Sequence, residues 1–151
     1  MFENSYKIRV SSRAIIIRDN DILLNCFGNG LYYNFPGGGI EENETAKQAV
    51  AREVLEESGL IVEVGHLVFS LESHSEGHHI SFFFRCYVNN DVLARPPSEI
   101  DINPDDPSVT SEAKWISLSD LNKIYVVPKI CDPLMKYIQT GMFTPLFWDK
   151  D

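Results

Sequence analysis

Long apolar runs are missing from this chain. Nowhere in its 151 residues does one approach the roughly 18 residues that a membrane-spanning helix needs. The opening Met1-Phe2-Glu3-Asn4-Ser5-Tyr6-Lys7 carries an acid and no apolar stretch, which predicts no secretory signal. Cysteine is scarce. Cys26, Cys86 and Cys131 are odd in number, far apart and outside any CxxC pair, so neither a disulfide framework nor a zinc ribbon is expected. They read as small buried apolar residues in a reducing cytoplasm, and a cytoplasmic location is the expectation. Positive charge is the third shortage: 13 Lys and Arg against 22 Asp and Glu leave a formal charge of −9. So acidic a surface repels polyanions and argues against general nucleic-acid binding. A small phosphate substrate remains compatible if a cation stands between phosphate and protein, and a bound metal ion is the obvious candidate.

What remains is the composition of an ordinary globular protein, 44% hydrophobic and 23% charged, and its length suits one domain spanning residues 1–151. Residues 7–18 alternate and then turn apolar at Ile15-Ile16-Ile17, a strand partly buried on both faces; residues 22–27 form its partner across the turn Asp19-Asn20-Asp21. Tyr32-Tyr33-Asn34-Phe35 reads as a short aromatic strand, and regular structure is expected to stop at Pro36-Gly37-Gly38-Gly39. Residues 45–58 are dominated by helix formers and end at Gly59, where a C-cap glycine belongs. Residues 60–71 and 80–88 read as strands, the second carrying Phe82-Phe83-Phe84. Between them His74, His78 and His79 lie in a polar loop whose spacing matches no standard zinc pattern. A proline-rich loop fills residues 94–110, Ala113-Lys114-Trp115-Ile116 is a last strand, residues 117–120 begin a helical turn, and a helix is expected over 128–139 with Pro128 near its first turn. The closing segment, residues 142–148, is too apolar for a free tail and is expected to pack on its own domain or on a partner subunit. Strands, one helix, strands and then helices predict a mixed α/β layered domain.

The informative stretch is GGIEENETAKQAVAREVLEESGL, residues 38–60. On a helix, Glu53, Glu56 and Glu57 fall within an arc of roughly 100°, leaving Val50, Val54 and Leu55 to face the core. Three carboxylates on one face repel unless a cation neutralises them, and hard oxygen donors at that density suit Mg2+ or Mn2+ better than Zn2+. Arg52, one turn before Glu56, can orient a carboxylate. Taken alone, such a patch is more often a solvated helix face.

The neighbours of that patch decide the reading. Gly38, Glu44, Arg52, Glu53, Val54, Glu56, Glu57, Gly59 and Leu60 fill every specified position of a pattern that resembles the Nudix box, in which G, E, R-E-U, E-E and G-U stand at fixed spacings with U a bulky aliphatic. A chance match is about one in a billion per window or rarer at ordinary residue frequencies. The lead-in Tyr33-Asn34-Phe35-Pro36-Gly37-Gly38 is similar too.

The resemblance implies an α/β/α sandwich around a central mixed β-sheet, with the box as loop-helix-loop. It implies Glu53, Glu56 and Glu57 as ligands of Mg2+ (or Mn2+), Gly38 or a neighbour lending a carbonyl, Arg52 orienting the acids and Glu44 tying loop to helix. The implied activity is hydrolysis of the phosphoanhydride bond of a nucleoside diphosphate joined to another group: a nucleoside triphosphate, ADP-ribose or a nucleotide sugar. The alternative is a nucleotide-sensing module of the same fold without hydrolysis, although such a module has no chemical need to keep all four of Arg52, Glu53, Glu56 and Glu57. The general base stays open between Glu56, Glu57 and an acid outside the box. Among the latter Glu112 is favoured, ahead of Glu99, Asp101, Asp105 and Asp106 in the proline-rich loop. Substrate contacts are expected from Gly37 and Gly38. Arg13 and Arg85, unusual charges within apolar strands, either meet a phosphate or form structural ion pairs. Tyr32, Tyr33 and Phe27 either stack on a base or belong to the core. Oligomeric state is not legible, and a homodimer is left open.

Overall fold

The computed structural model describes residues 6–75, 77–89 and 111–142, and the backbone of 147–149. The proline-rich loop with Glu99, Asp101, Asp105 and Asp106 lies outside the described residues, as does most of the closing segment. Nine strands and two α-helices follow in the order β1 (Ile8–Arg18), β2 (Asp21–Phe27), β3 (Tyr32–Asn34), β4 (Gly37–Gly39), α1 (Ala46–Ser58), β5 (Val62–Ser73), β6 (His78–Val88), β7 (Ser111–Ser117), β8 (Val126–Val127), α2 (Cys131–Thr140) and β9 (Phe147–Asp149), with a 3-10 helix, Leu118–Lys123, before β8.

The sheet is mixed. Its main path runs β8-β3-β2-β1-β6-β5-β9, with β4 added to β1 and β7 to β2. β1 runs parallel to β6 over Ile8–Ile16 but pairs with β2 only at Ile17 and Arg18, next to their turn. The two halves of the sheet therefore diverge from that hairpin, and the opening is where β4 inserts.

Alternation along β1 sends Ala14 and Ile16 to one face and Ile15 to the other. The first pair joins Leu23, Val50, Val54, Leu60, Phe84 and Cys86 in a core beneath α1. Ile15 joins Leu24, Phe35, Phe69, Phe83, Ile130 and Leu134 in a second core beneath α2 and the 3-10 helix. Helices on both faces of a mixed sheet are the layered α/β architecture expected from the sequence.

Local chemistry fixes the bounds of α1. Thr45 Oγ1 accepts from the Gln48 amide (3.2 Å) while Gln48 Oε1 accepts from the Thr45 amide (2.8 Å), a reciprocal cap that satisfies two first-turn donors. Gly59, at φ 71°, donates its N–H to Leu55 O and ends the helix in the left-handed conformation that glycine adopts without penalty.

Four expectations need correction, the first being that His78 and His79 lie not in a loop but in β6. Regular structure does not stop at Gly37-Gly38-Gly39; these residues form β4, antiparallel to β1 with Ser12 opposite Gly38, because side-chain-free backbone fits the narrow space under α1. Leu55 does not face the core but is 47% exposed, since the stripe of α1 that meets the sheet is only as wide as Ala49, Val50 and Val54. The last helix begins at Cys131 rather than at Pro128: Val126 and Val127 are held in β8 beside Tyr33 and Asn34, and Pro133, not Pro128, occupies its first turn. All three cysteines are free; Cys26 and Cys86 are buried as expected, whereas Cys131 is only half-buried.

Phe83, fully buried against Phe35 and Phe69, anchors the second core. Phe83→Ala is expected to lower unfolding free energy by about 3–5 kcal/mol and Leu55→Ala by less than about 0.5 kcal/mol, both measured by urea denaturation.

Candidate active site

The site is built where α1 crosses β4. Both contacting residues of β4 lack a Cβ, one because backbone leaves no room for it and the other where the Glu53 carboxylate takes its place. At Gly37, where φ is 146°, an added Cβ would lie 2.2 Å from Ser12 O; at Gly38 it would lie 2.5 Å from Glu53 Oε1. Ser12, fully buried on β1, donates its hydroxyl to Ala46 O (2.6 Å) and holds the start of α1 against the strand.

Arg52 organises the acids around it. Its guanidinium donates to both carboxylate oxygens of Glu44 (2.7 and 3.1 Å), to Glu53 Oε1 (2.8 Å), to Glu56 Oε2 (3.3 Å) and to Gly39 O (3.1 Å). Glu44 Oε1 also accepts from the Glu41 amide (2.7 Å), so it ties the loop before α1 to the helix itself. These bonds reinforce one another. The Arg52 contact holds the Glu44 carboxyl below its ordinary range, and bonding to Glu44, then Glu53, keeps Arg52 charged despite its desolvation.

Glu57 is different in kind. It turns inward, and its Oε2 accepts from Asn25 Nδ2 (2.7 Å) and from the Gly37 amide (3.2 Å). Burial outweighs those bonds and pushes its carboxyl up from 4.5 to about 7. The nearby charge of Glu53 raises it further, and Arg13 opposes this. Arg13 reaches the same place from the other face of β1, donating Nη1 to Phe35 O (2.9 Å) and Gly37 O (3.4 Å).

Fold and sequence thus bring Arg13, Gly37, Gly38, Arg52, Glu53, Glu56 and Glu57 together. Two further candidates lie elsewhere. Arg85 donates to Ile15 O, Ile17 O and Cys86 O and stands over the Tyr87 ring, away from the box; among the described residues no carboxylate pairs with it. Glu112 pairs with Cys26 in the β2–β7 ladder, one step from the pair of Asn25 with Ala113. Side chains alternate, so Asn25 and Ala113 face α1 while the Glu112 carboxylate leaves the opposite face, 70% exposed and 3.7 Å from Lys114 Nζ. Tyr32 and Phe27 stack on each other with centroids 4.6 Å apart.

Two residues of the site escaped the sequence reading. Asn25 stands in an otherwise apolar strand, and period-two alternation with Leu23 would have aimed it at α1. Asn34 lies directly across from Asn25 in the β2–β3 ladder, and its Oδ1 is buried with no hydrogen-bond partner among the described residues. An orphaned acceptor of this kind awaits a donor from water or ligand.

The donor set suits a hard divalent cation. Glu53, Glu56 and Glu57 offer carboxylate oxygens from one helix face, and the bare backbone of Gly38 allows close approach. The three are not gathered into a tight cluster; Arg52 holds Glu53 and Glu56, and Asn25 holds Glu57.

Comparison with known proteins accords with this geometry. A family-wide sequence profile, that of the NUDIX domain, matches residues 8–134, most of the chain. The chain belongs to the Nudix hydrolase family. Its Nudix box is the segment just described. It is similar to the ADP-ribose pyrophosphatase of Methanocaldococcus jannaschii, with 40% identity over 121 residues, 76% of this chain and 65% of that protein. It spans 30% to 65% of the length of the curated relatives it matches. The fold is also that of a NUDIX hydrolase from Nitrosomonas europaea (TM-score 0.73, 24% identity, 92% and 93% of the two chains covered). An ADP-ribose pyrophosphatase from Streptococcus suis shares it as well (TM-score 0.68, 24% identity, 93% and 98% covered).

Two outcomes follow for the Nudix box. Gly38→Ala is expected to fold, because its Cβ meets only the end of a flexible side chain, but to displace the Glu53 carboxylate; loss of divalent-cation affinity of at least tenfold, read by calorimetry, checks this. The Glu57 carboxyl binds its proton more tightly folded than unfolded, so its contribution to stability is full below about pH 4.5 and is lost as pH rises through about 7. Metal-free protein should therefore weaken across that window, at a slope no steeper than about 1.4 kcal/mol per pH unit from this group. Glu57→Gln should flatten the profile in a pH series of thermal melts.

Proposed function

We propose that this chain is a pyrophosphohydrolase that cleaves the phosphoanhydride bond of a small nucleoside diphosphate joined to a second group, with Mg2+ or Mn2+ held by Glu53, Glu56 and Glu57. The observation that carries the reading is the inward-turned Glu57. A carboxyl kept under the helix, at a cost in stability, against Asn25 and the Gly37 amide has a chemical purpose that a solvated charged face lacks. Within the substrate class, ADP-ribose is the first candidate. The relative with 40% identity is named for that substrate.

The residues divide the work as follows. Arg52 keeps Glu53 and Glu56 aligned along one side of the helix, and Glu44 keeps Arg52 in place. Gly37 and Gly38 let the diphosphate approach the backbone without a side chain in the way. Arg13, beside Gly37 O and within the field of Glu57, supplies the positive charge that a phosphate oxygen needs. A bound divalent cation would withdraw charge from the phosphate oxygens and acidify the attacking water. The proton of that water passes to a box carboxylate rather than to Glu112, whose side chain leaves the other face of β7. Attack at one phosphorus breaks the bridging P–O bond, so ADP-ribose yields AMP and ribose 5-phosphate.

The test is a substrate panel with product identification, run with and without divalent cation. Cleavage of ADP-ribose to those two products, abolished by a chelator, is expected; a broad panel left intact with Mg2+ and with Mn2+ overturns the reading. Glu57→Gln should cut turnover at least about 100-fold while circular dichroism shows a folded protein. Glu112→Gln should stay within about threefold of the parent; a loss like that of Glu57→Gln would restore Glu112 as the base.

A further inference from the structure

Glu72, His74 and His78 form the one group of three metal-type side chains, among the described residues, whose donor atoms all lie within 4.8 Å of one another. They are not part of the Nudix box, and nothing in the proposed hydrolysis uses them. The geometry points to a second, separate cation site here, one that takes a borderline dication of the zinc type and clips the β5–β6 hairpin.

The hairpin register explains how the three meet. Glu72 stands opposite Ile80 and Ser73 opposite His79, so the same register carried one step further sets residue 74 across from residue 78. Glu72 lies near the end of β5, His74 just beyond it with the same two-residue spacing, and His78 joins them from the start of β6. Linear spacing hides this: the sequence matches no zinc motif because the third donor arrives across a turn.

The donors differ from those of the box in hardness. Two imidazoles with one carboxylate are a familiar ligand set for Zn2+ and its neighbours, whereas Mg2+ prefers oxygen alone. Glu72 and His78 are already in contact through Oε1 and Nε2, with side chains only 12% and 13% exposed, while His74 is exposed at the rim. Two donors thus already meet, and the third is exposed beside them.

Donor atoms around a tetrahedral Zn2+ lie about 3.3 Å apart, given bonds near 2.0–2.1 Å. Completing that set takes two small movements: the Glu72–His78 contact opens to admit the ion, and His74, stacked on His78 with centroids 4.3 Å apart, tilts inward. A cation between Nε2 of His78 and Oε1 of Glu72 puts the ring proton on Nδ1, where the Tyr6 hydroxyl is already bonded and accepts it. A ligating histidine is commonly held at its far nitrogen in this way.

Ile8 is the β1 partner of His78, and Ser12 is the partner of Gly38. Four residues of strand, about 13 Å, therefore separate the levels of the two sites along β1. That distance makes them separable by experiment.

The full-length, tag-free protein is stripped of metal and titrated with Zn2+, and with Co2+ as a spectroscopic probe, in saturating Mg2+. One equivalent bound, with the visible absorption of low-coordinate Co2+ and a rise in melting temperature, is expected. His74→Ala, a change at an exposed position, and His78→Gln should each weaken binding at least tenfold, and Tyr6→Phe by less. The double variant Glu53→Gln/Glu57→Gln should bind Zn2+ as the parent does. No retained equivalent, parental affinity in His74→Ala, or loss of Zn2+ in the box double variant overturns the proposal. If His78→Gln fails to fold, His74→Ala and the box variant still decide it.

Discussion

An acidic helix can lie close to a β-strand only where the strand offers it no side chains, and this site depends on that constraint. Gly38 leaves α1 resting nearly on the backbone of β4, with Glu53 filling the volume that a methyl group at residue 38 would take, while bare Gly37 lets β4 lie against the backbone of β1. From that approach the rest follows. Glu57 is driven under the helix to the Gly37 amide and Asn25; Ser12 reaches the first turn of α1; and β4 occupies the gap that opens as β1 and β2 part. The glycines are thus part of the site's architecture as well as its surface.

The same closeness creates a conflict between stability and chemistry. Burial disfavours the charged form of Glu57, and the two hydrogen bonds to its Oε2 only partly offset that. Polar groups kept in this state are common where a ligand completes the environment. Asn34 Oδ1, buried beside Asn25 with no donor to accept from among the described residues, belongs to the same pattern.

How much of this could be read from the chain alone depends on the range of the forces involved. The box, the bounds of α1, the β1–β2 hairpin and the burial of β1 on both faces follow from periodicity, capping and spacing, all local properties. What escaped was set by contacts between distant segments. The glycines were read as an end to regular structure, because glycine punctuates local structure and only the overlying helix gives a bare strand its use. Pro128 was read as a helix start, because the pairing of Val126 and Val127 with β3 lies nearly a hundred residues away in sequence. Glu112 and Asn25 traded importance for one reason: a single step of register decides which face of a strand meets α1. The Glu72, His74 and His78 group was invisible as a motif, because its third member joins across a hairpin.

The bonding of Arg52 separates into two halves. Nε and Nη2 are engaged by Glu44 and Gly39 O, while Nη1 is shared among Glu53, Glu56 and, at 3.7 Å, Glu41. One edge of the planar fork is an anchor and the other is on loan. If Glu53 and Glu56 turned away from Nη1 to hold a cation, the arginine would keep its other edge on Glu44 and Gly39 O and stay in place behind them. Lysine, a single point of charge with no second edge, would have to give up its hold and its lending together.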